Sequence, residues 1–267
     1  MEKNRRVLYF VAFLVVLLVV LYIPKFKTSN GKLKPAENGI GLEQALPQKA
    51  VSRDEFLNAV FTVSRPPEWL GKLLFQPLTD LPQDTLQKAL KWAGETENKP
   101  LYSFIQSSMA EKQGGEENLT SAARNLIFGA SENIDNPVVA AFMFQQGKLI
   151  LDRVLKMNPK NVSARNALIV YQSEYENQPM KFLATLRETI ALDSNNLETR
   201  FIRLNLLRKS AQWKKAAQEC QKLISLQPQN PVWYFQASDI YGFMGDSVNA
   251  KVYLNLAVKV QNSNKTK

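Results

Sequence analysis

Few residues of this 267-residue chain have side chains that commonly carry out catalysis. The chain has no histidine and a single cysteine, Cys220. Without histidine it cannot form a Ser-His-Asp or Cys-His catalytic set, nor a histidine-ligated metal or haem site. One cysteine cannot form an internal disulfide, a C-x-x-C redox pair or a cysteine zinc site. These counts exclude the commonest hydrolytic, redox and metal chemistries.

Paired carboxylates are the remaining candidates for acid–base chemistry, at Glu95/Glu97 and Glu116/Glu117. Both pairs fall in predicted loops or helix starts, whereas a catalytic general acid needs burial that raises its pKa. No phosphate-binding loop, dinucleotide fingerprint or G-x-S-x-G motif occurs in the sequence. Cys220 lies at an inward-facing helix position, where a thiol packs as a small apolar group. We therefore predict that the protein is not an enzyme, and we expect no cofactor and no metal.

The densest group of charged side chains is basic and lies between residues 200 and 215. Such a run can contact anionic lipid, an acidic partner, nucleic acid or the acidic middle of this chain, and it can also be a solvated helix face. Nucleic acid is disfavoured because no nucleic-acid-binding motif accompanies the run. The predicted basic patch comprises Arg200, Arg203, Lys209, Lys214 and Lys215, with Arg208 in the same run.

The net charge of +10 is unevenly distributed along the chain. Residues 1–34 carry +6, residues 35–136 carry −5 and residues 137–267 carry +9. The sequence therefore predicts a basic N-terminal flank, an acidic middle and a basic C-terminal half, rather than one uniformly positive surface.

Residues 7–23 form an uncharged apolar run, VLYFVAFLVVLLVVLYI. As a helix this run spans about 26 Å, at the short end of what a bilayer core requires. Tyr9 and Tyr22 lie near its ends, where amphipathic rings favour the membrane interface. A cleaved signal peptide would have a shorter apolar region and a small-residue cleavage site, and a buried core helix would not be apolar on every face. The run predicts a retained single-pass transmembrane anchor after a short tail, residues 1–6.

The orientation of this anchor is not decided by the flanking charges, because lysine and arginine residues lie on both sides of it. We expect a cytoplasmic N-terminus and an exported C-terminal domain, periplasmic in a bacterial inner membrane, since single N-terminal anchors on folded domains commonly have that orientation. Residues 24–50 contain several glycines and prolines and few apolar residues. They predict a flexible tether with a reach of about 25–30 Å.

Residues 51–136 are predicted to form an acidic, irregular helical segment. Ser52 and Glu55 match a capping box at the start of a helix that Pro66-Pro67 would end. No strand pattern of useful length appears in the segment, which makes the predicted fold class all-α. Further helices are predicted from Asp84 to Trp92, where Gly94 would end the helix, from Leu101 to Ala110, and from Leu119 to Phe128, which Gly129 would end.

Residues 137–267 contain an internal repeat. Residues 197–230 align with residues 231–264 in two blocks of 34 residues. A helix-ending motif also recurs at Pro159, Ser194 and Pro228, at spacings of 35 and 34 residues. The pattern resembles the tetratricopeptide repeat (TPR) family, whose units are 34-residue helix–turn–helix hairpins with small residues at fixed positions. The resemblance covers about residues 128–264.

The resemblance implies packing roles for particular residues. Small side chains would lie where the two helices of a repeat cross, and Gly245, with Ala211 in its place one repeat earlier, would form the turn. The sequence departs from the family at Arg200 and Arg203, which replace an aromatic residue and a leucine. It also departs at Phe182, which replaces a small residue, whereas the preceding block has Gly147 at that position. The predicted repeat-packing residues are Ala216, Cys220, Leu223, Tyr241, Gly245, Ala250, Leu254 and Ala257.

Stacked repeats of this kind form a concave groove lined mainly by the first helix of each repeat, which suits an extended peptide or a partner helix. Asn205 with Arg208 could hydrogen-bond a peptide backbone or hold a carboxylate, and Arg208 could also be a solvated residue. The predicted groove residues are Phe201, Asn205, Arg208, Phe235 and Asp239.

The predicted function is therefore non-enzymatic binding of other proteins by a membrane-anchored TPR protein. It would act as an adaptor, chaperone-like protein or assembly factor for a membrane-associated complex, in secretion, translocation or complex biogenesis. The alternative is an integral structural subunit of a stable membrane complex. The apolar run has no small-x-x-x-small motif, so it gives no signal for dimerisation.

Overall fold

A computed structural model describes residues 46–63 and 65–265. Within these residues the fold is all-α, which confirms the all-α part of the prediction, and none of the helices there is long and apolar enough to cross a bilayer. The predicted tail and anchor, residues 1–23, lie outside the described residues, as does the predicted tether up to residue 45. The helices are α1 (Arg53–Phe61), α2 (Glu68–Leu74), α3 (Gln83–Glu95), α4 (Lys99–Gln113), α5 (Glu116–Glu132), α6 (Pro137–Met157), α7 (Val162–Glu174), α8 (Pro179–Leu192), α9 (Leu197–Lys209), α10 (Trp213–Leu226), α11 (Pro231–Phe243) and α12 (Ser247–Lys265).

Local capping signals start many of these helices. The capping box predicted at Ser52 and Glu55 is present at the start of α1. Asparagine side chains begin further helices by accepting a hydrogen bond from a backbone N–H in the first turn, which satisfies a donor that the helix itself leaves unpaired. These asparagines are Asn98, Asn136, Asn161, Asn196 and Asn230.

Two predicted helix ends were wrong, and at Gly129 the reason is that the glycine serves close packing rather than termination. Helix α3 continues past Gly94, and α5 continues past Gly129 to Glu132. A Cβ at Gly129 would lie 2.8 Å from the terminal methyl of Met143, so the missing side chain lets α5 approach α6. The predicted first helix ends at Phe61, ahead of Pro66-Pro67, and the short helix α2, which the sequence did not predict, follows the two prolines.

The C-terminal half is a stack of helical hairpins, α5–α6, α7–α8, α9–α10 and α11–α12. The turns of the last two hairpins are equivalent and lie one repeat apart. Ala211 and Gly245 have φ angles of +53° and +77°. In each turn the residue after the left-handed one donates its backbone N–H to a carbonyl of the preceding helix at 2.9 Å. Gln212 donates to Leu207, and Asp246 donates to Tyr241. The repeat inferred from sequence is thus reproduced in backbone geometry.

The recurring helix-ending motif also has a structural basis. At each of its three occurrences the backbone carbonyl accepts a hydrogen bond from the side chain six residues further on, which joins one repeat's end to the next repeat's first helix. The pairs are Arg165 to Pro159 at 2.8 Å, Arg200 to Ser194 at 2.8 Å and Tyr234 to Pro228 at 3.0 Å.

One cluster of buried apolar residues runs from Leu46 to Ile202 and crosses the boundary predicted between residues 136 and 137. A second cluster, from Leu204 to Ile240, fills the last two hairpins. Helices α5 and α6 also approach each other closely at Gly147, where a Cβ would lie 2.8 Å from Ile127. The acidic segment 51–136 therefore packs with the repeats rather than forming a separate irregular region.

Residues 46–50, predicted to be the end of the flexible tether, are packed against the repeats. Leu46 is buried in the core. The Tyr175 hydroxyl donates to the Pro47 carbonyl at 2.8 Å, the Gln48 amide donates to the Tyr175 carbonyl at 3.2 Å, and the Gln145 amide donates to the Lys49 carbonyl at 3.0 Å. The prediction was wrong for these residues because groups 96 or more positions away along the chain hold them in place.

Candidate functional site

The predicted groove residues lie on α9 and α11, the first helices of the last two hairpins. These helices meet through two contacts. The ring of Phe201 lies 5.6 Å from the ring of Trp233, and the Arg208 guanidinium donates a hydrogen bond to the Gln236 side-chain oxygen. Phe201 remains 37% exposed. The two helices therefore form one surface, which we call the α9–α11 surface.

Polar side chains at equivalent positions extend this surface. Asn205 on α9 is half-buried, and Asp239, one repeat later on α11, is exposed. Phe235 is half-buried and lies at the position equivalent to Phe201. The arrangement offers aromatic contact area together with amide and carboxylate groups, which is suited to holding a peptide segment rather than to transforming a substrate.

The predicted basic patch is largely neutralised inside the fold. Arg200 and Arg203 each contact the carboxylate of Glu219 on α10 at 3.0 Å, and Glu219 is only 4% exposed. A buried carboxylate is costly unless it is paired and hydrogen-bonded, so these arginines are needed where they are. They replace the apolar residues of the repeat pattern because their partner in the same hairpin is charged.

The rest of the basic run is split between pairing and exposure. The Lys209 ammonium lies 2.6 Å from the Glu174 carboxylate, and Lys215 donates to the Gln212 side chain at 2.8 Å. Lys214 is exposed. Of the predicted basic patch, Arg200, Arg203 and Lys209 are thus paired with Glu219 and Glu174, which lie within the repeats themselves.

Most of the predicted repeat-packing residues lie inside the hairpins. Ala216, Cys220, Leu223 and Ala257 are buried, and Ala250 is half-buried. Tyr241 stacks on Tyr253 with ring centres 5.2 Å apart, and Gly245 lies in the exposed turn described above. Leu254 departs from the prediction at 44% exposure, because no described helix follows α12 to cover it.

Cys220 is placed as an inert thiol. It is fully buried in the apolar cluster of the last two hairpins. Burial disfavours the thiolate and raises the pKa of Cys220 to about 12. Because the thiolate is the reactive form, this position is unsuited to nucleophilic chemistry.

The sequence did not predict a polar network that joins α5, α7 and α9. The Arg124 guanidinium holds both carboxylate oxygens of Glu198, at 2.9 and 2.7 Å. The buried Asn166 amide donates to Glu198 at 3.0 Å and accepts from the Thr199 hydroxyl at 2.8 Å. Asn166 lies one repeat before Phe201, at the equivalent position. A polar residue at a position that is aromatic in the two later repeats is the sequence feature that could have indicated this network. The network fixes three successive first helices relative to one another.

A second unpredicted feature is an open cleft of about 590 Å³ between α3, α4 and α5. Phe128, Tyr102 and Met143 contribute its apolar walls, and the Asn125 amide bonds to Gln106 at 2.6 Å on its rim. Within the described residues no group of three or more cysteine, aspartate or glutamate side chains is placed to hold a metal ion.

No protein-family model and no curated protein matches the sequence. The comparison with solved structures finds similarity to structures of MamA. A MamA RS-1 ArsTM double mutant is 13% identical with a TM-score of 0.47, covering 69% of this chain and 97% of that one. MamA 41-end from Desulfovibrio magneticus RS-1 is 13% identical with a TM-score of 0.47, and the match covers 67% of this chain and 95% of that one. MamA AMB-1 is 14% identical with a TM-score of 0.43, and the match covers 66% of this chain and 97% of that one. The repeats are assigned from the chain's own equivalent turns and the hydrogen bonds within them.

Proposed function

We propose that the protein binds segments of other proteins at the α9–α11 surface and acts without catalysis. The observation that supports this proposal is the pair of equivalent rows on adjacent first helices. Phe201 and Asn205 form one row, and Phe235 and Asp239 form the other, one repeat later. Partly open aromatic rings beside unburied polar groups are typical of protein-binding surfaces.

The bound segment would be an extended peptide or an amphipathic helix. Aromatic rings would contact its apolar side chains, while Asn205 would hydrogen-bond its backbone. Arg208 donates to Gln236 from one nitrogen of its guanidinium, which leaves further N–H groups to hold a ligand carboxylate beside the backbone contact of Asn205.

The membrane anchor is part of this proposal. The uncharged run at residues 7–23 supports a single-pass anchor. Basic residues lie on both sides of the run and do not set its direction, so the proposed cytoplasmic N-terminus and exported C-terminal domain follow the common orientation of single N-terminal anchors on folded domains. An adaptor, chaperone-like protein or assembly factor held in this way would act on a membrane-associated complex, in secretion, translocation or complex biogenesis. A topology reporter fused after Lys267 and active on only one side of the membrane tests the orientation.

The alternative, an integral subunit of a stable membrane complex, is favoured by the same apolar run. In that case the faces of the spanning helix would contact other membrane helices. Replacing residues 7–23 with an unrelated spanning sequence would then abolish assembly of the complex, whereas an adaptor would keep its partners after this replacement.

A pair of charge-matched variants tests the binding surface. Asn205→Arg places a long cation on the α9–α11 surface, and Gln218→Arg places the same cation on the exposed side of α10. Quantitative mass spectrometry of complexes purified from native membranes would measure retained partners. We expect Asn205→Arg to lose partners that Gln218→Arg keeps. Equal retention or equal loss in the two variants would contradict the proposal.

A further inference from the structure

The junction between hairpins α7–α8 and α9–α10 contains fewer buried apolar side chains than the hairpin junctions on either side of it. Helix α8 buries Thr185, Leu186 and Thr189, so only one of its buried residues is apolar. The buried apolar residues of the described chain also divide here, because Ile202 on α9 belongs to the first cluster and Leu204 to the second. We call this junction, with α7 and α8 on one side and α9 on the other, the polar seam.

The neighbouring junctions are apolar. Before the polar seam, Leu151 on α6 and Ala167 on α7 are both fully buried in the first cluster. After it, Cys220 on α10 and Ile240 on α11 are both fully buried in the second cluster. In a stack of repeats each junction contributes its own share of the stability, so the junction with the least apolar contact is the one that opens most readily.

The contacts that cross the polar seam are mostly hydrogen bonds and ion pairs. The Arg124 guanidinium and the Asn166 amide both bond to Glu198 on α9, and the Lys209 ammonium lies 2.6 Å from the Glu174 carboxylate on α7. The side chains of Arg124 and Glu198 are 27% and 31% exposed, so water has access to both. Because water can replace such bonds when helices separate, they resist opening less than buried apolar contacts do.

We propose that hairpins α9–α10 and α11–α12 move as one body about the polar seam, and that the Arg124–Glu198 pair is the latch that keeps the seam closed. The second apolar cluster lies entirely within these two hairpins, so their internal packing is kept during the movement. The α9–α11 surface lies wholly on the moving side, and the movement would carry it without changing it. The seam opens without a partner, so this inference does not depend on the proposed function.

The test compares two thiols at equivalent repeat positions. Leu186 on α8 and Cys220 on α10 lie 34 residues apart, and both are buried, with exposed fractions of 6% and 0%. Leu186→Cys therefore places a thiol at the polar seam, while the native Cys220 reports on the apolar junction of the same molecule. The full chain, purified in detergent, would be labelled with N-ethylmaleimide at increasing low urea concentrations, and mass spectrometry of its peptides would follow each thiol separately.

We expect the thiol of Leu186→Cys to react at least about tenfold faster than Cys220. Its rate should also depend less steeply on urea, because opening the seam exposes less surface than unfolding does. Arg124→Gln removes the latch and should speed labelling of the Leu186→Cys thiol by about fivefold or more. The matched control is Arg153→Gln, since Arg153 pairs with Glu111 at 2.7 Å between α6 and α4, and it should change the rate by less than about twofold.

Two results would overturn the proposal. Equal labelling rates with equal urea dependence at the two thiols would show that the seam opens only when the chain unfolds. Equal effects of Arg124→Gln and Arg153→Gln would show that the Arg124–Glu198 pair is not the latch. Ile202→Cys, on the α9 side of the seam, is the second variant and should give the same result, so the test does not depend on the folding of the Leu186→Cys chain.

Discussion

Replacing Ala211 with glycine should stabilise the protein, although the same change is usually destabilising in helical proteins. Ala211 forms the turn between α9 and α10 with a φ of +53°. An L-residue in this left-handed region costs about 1–2 kcal/mol, and glycine loses roughly 0.5–1 kcal/mol more conformational entropy than alanine on folding. The difference predicts that Ala211→Gly raises the free energy of unfolding by about 0.5–1 kcal/mol.

Two further substitutions calibrate this prediction. Gly245→Ala is the reciprocal change in the next repeat, where φ is +77° and no atom lies within 4 Å of an added Cβ. It should lower the free energy of unfolding by a similar amount through backbone strain alone. Ala184→Gly makes the Ala211 change at an exposed position inside α8, and it should destabilise by about 1 kcal/mol.

Urea unfolding of the full chain, followed by far-UV circular dichroism, measures all three variants. The predicted order of midpoints places Ala211→Gly above the unchanged chain and the other two below it, with similar slopes. If Ala211→Gly is destabilised like Ala184→Gly, then Ala211 is not in the left-handed region in solution. The equivalence of the two repeat turns would then be refuted.

Three other perturbations test separate parts of the structure. Glu219→Gln should lower the free energy of unfolding by about 2–4 kcal/mol, because it leaves two arginines without their buried charge partner. The control Glu188→Gln, at an exposed ion pair, should lower it by less than about 1 kcal/mol. Urea midpoints compare the two variants, and equal losses would contradict the pairing. Cys220 should resist thiol reagents until the chain unfolds, and rapid labelling of the folded protein would refute its burial. Because the pKa of Cys220 is raised from 9.0 to about 12, the contribution of its buried thiol to stability should be present below pH 9.0 and be lost as the pH rises toward 12. Tyr175→Phe removes the donor to the Pro47 carbonyl and should speed hydrogen exchange of the Val51 amide, which donates to the Gln145 side chain beside it. Unchanged exchange would show that the Tyr175 bond does not hold the segment.

The features predicted correctly from sequence are those that depend on a few neighbouring residues. The capping box at Ser52 and the turn at Gly245 follow from local backbone chemistry, and each has its expected geometry. The repeat period was visible because each repeat must present similar side chains to its neighbours. The all-α class followed from the same helical periodicity.

The features predicted wrongly depend on partners that are distant in sequence. Nothing near Arg200 or Arg203 indicates that both pair with Glu219, so their charges were assigned to a surface patch. Gly129 was interpreted as a helix end because its close neighbour, Met143, belongs to the next helix. Leu254 stands at a repeat position whose side chain is buried in the earlier repeats. It is exposed because α12 is the last helix of the described stack.

Site-specific photocrosslinking in native membranes tests most directly whether partners contact the α9–α11 surface. A photoreactive amino acid would replace Asn205 or Asp239 on that surface, with Lys214 or Gln218 on the exposed side of α10 as controls. We predict discrete protein adducts from the first two positions that are absent from the controls. The same adducts from all four positions, or adducts from the controls alone, would contradict the claim.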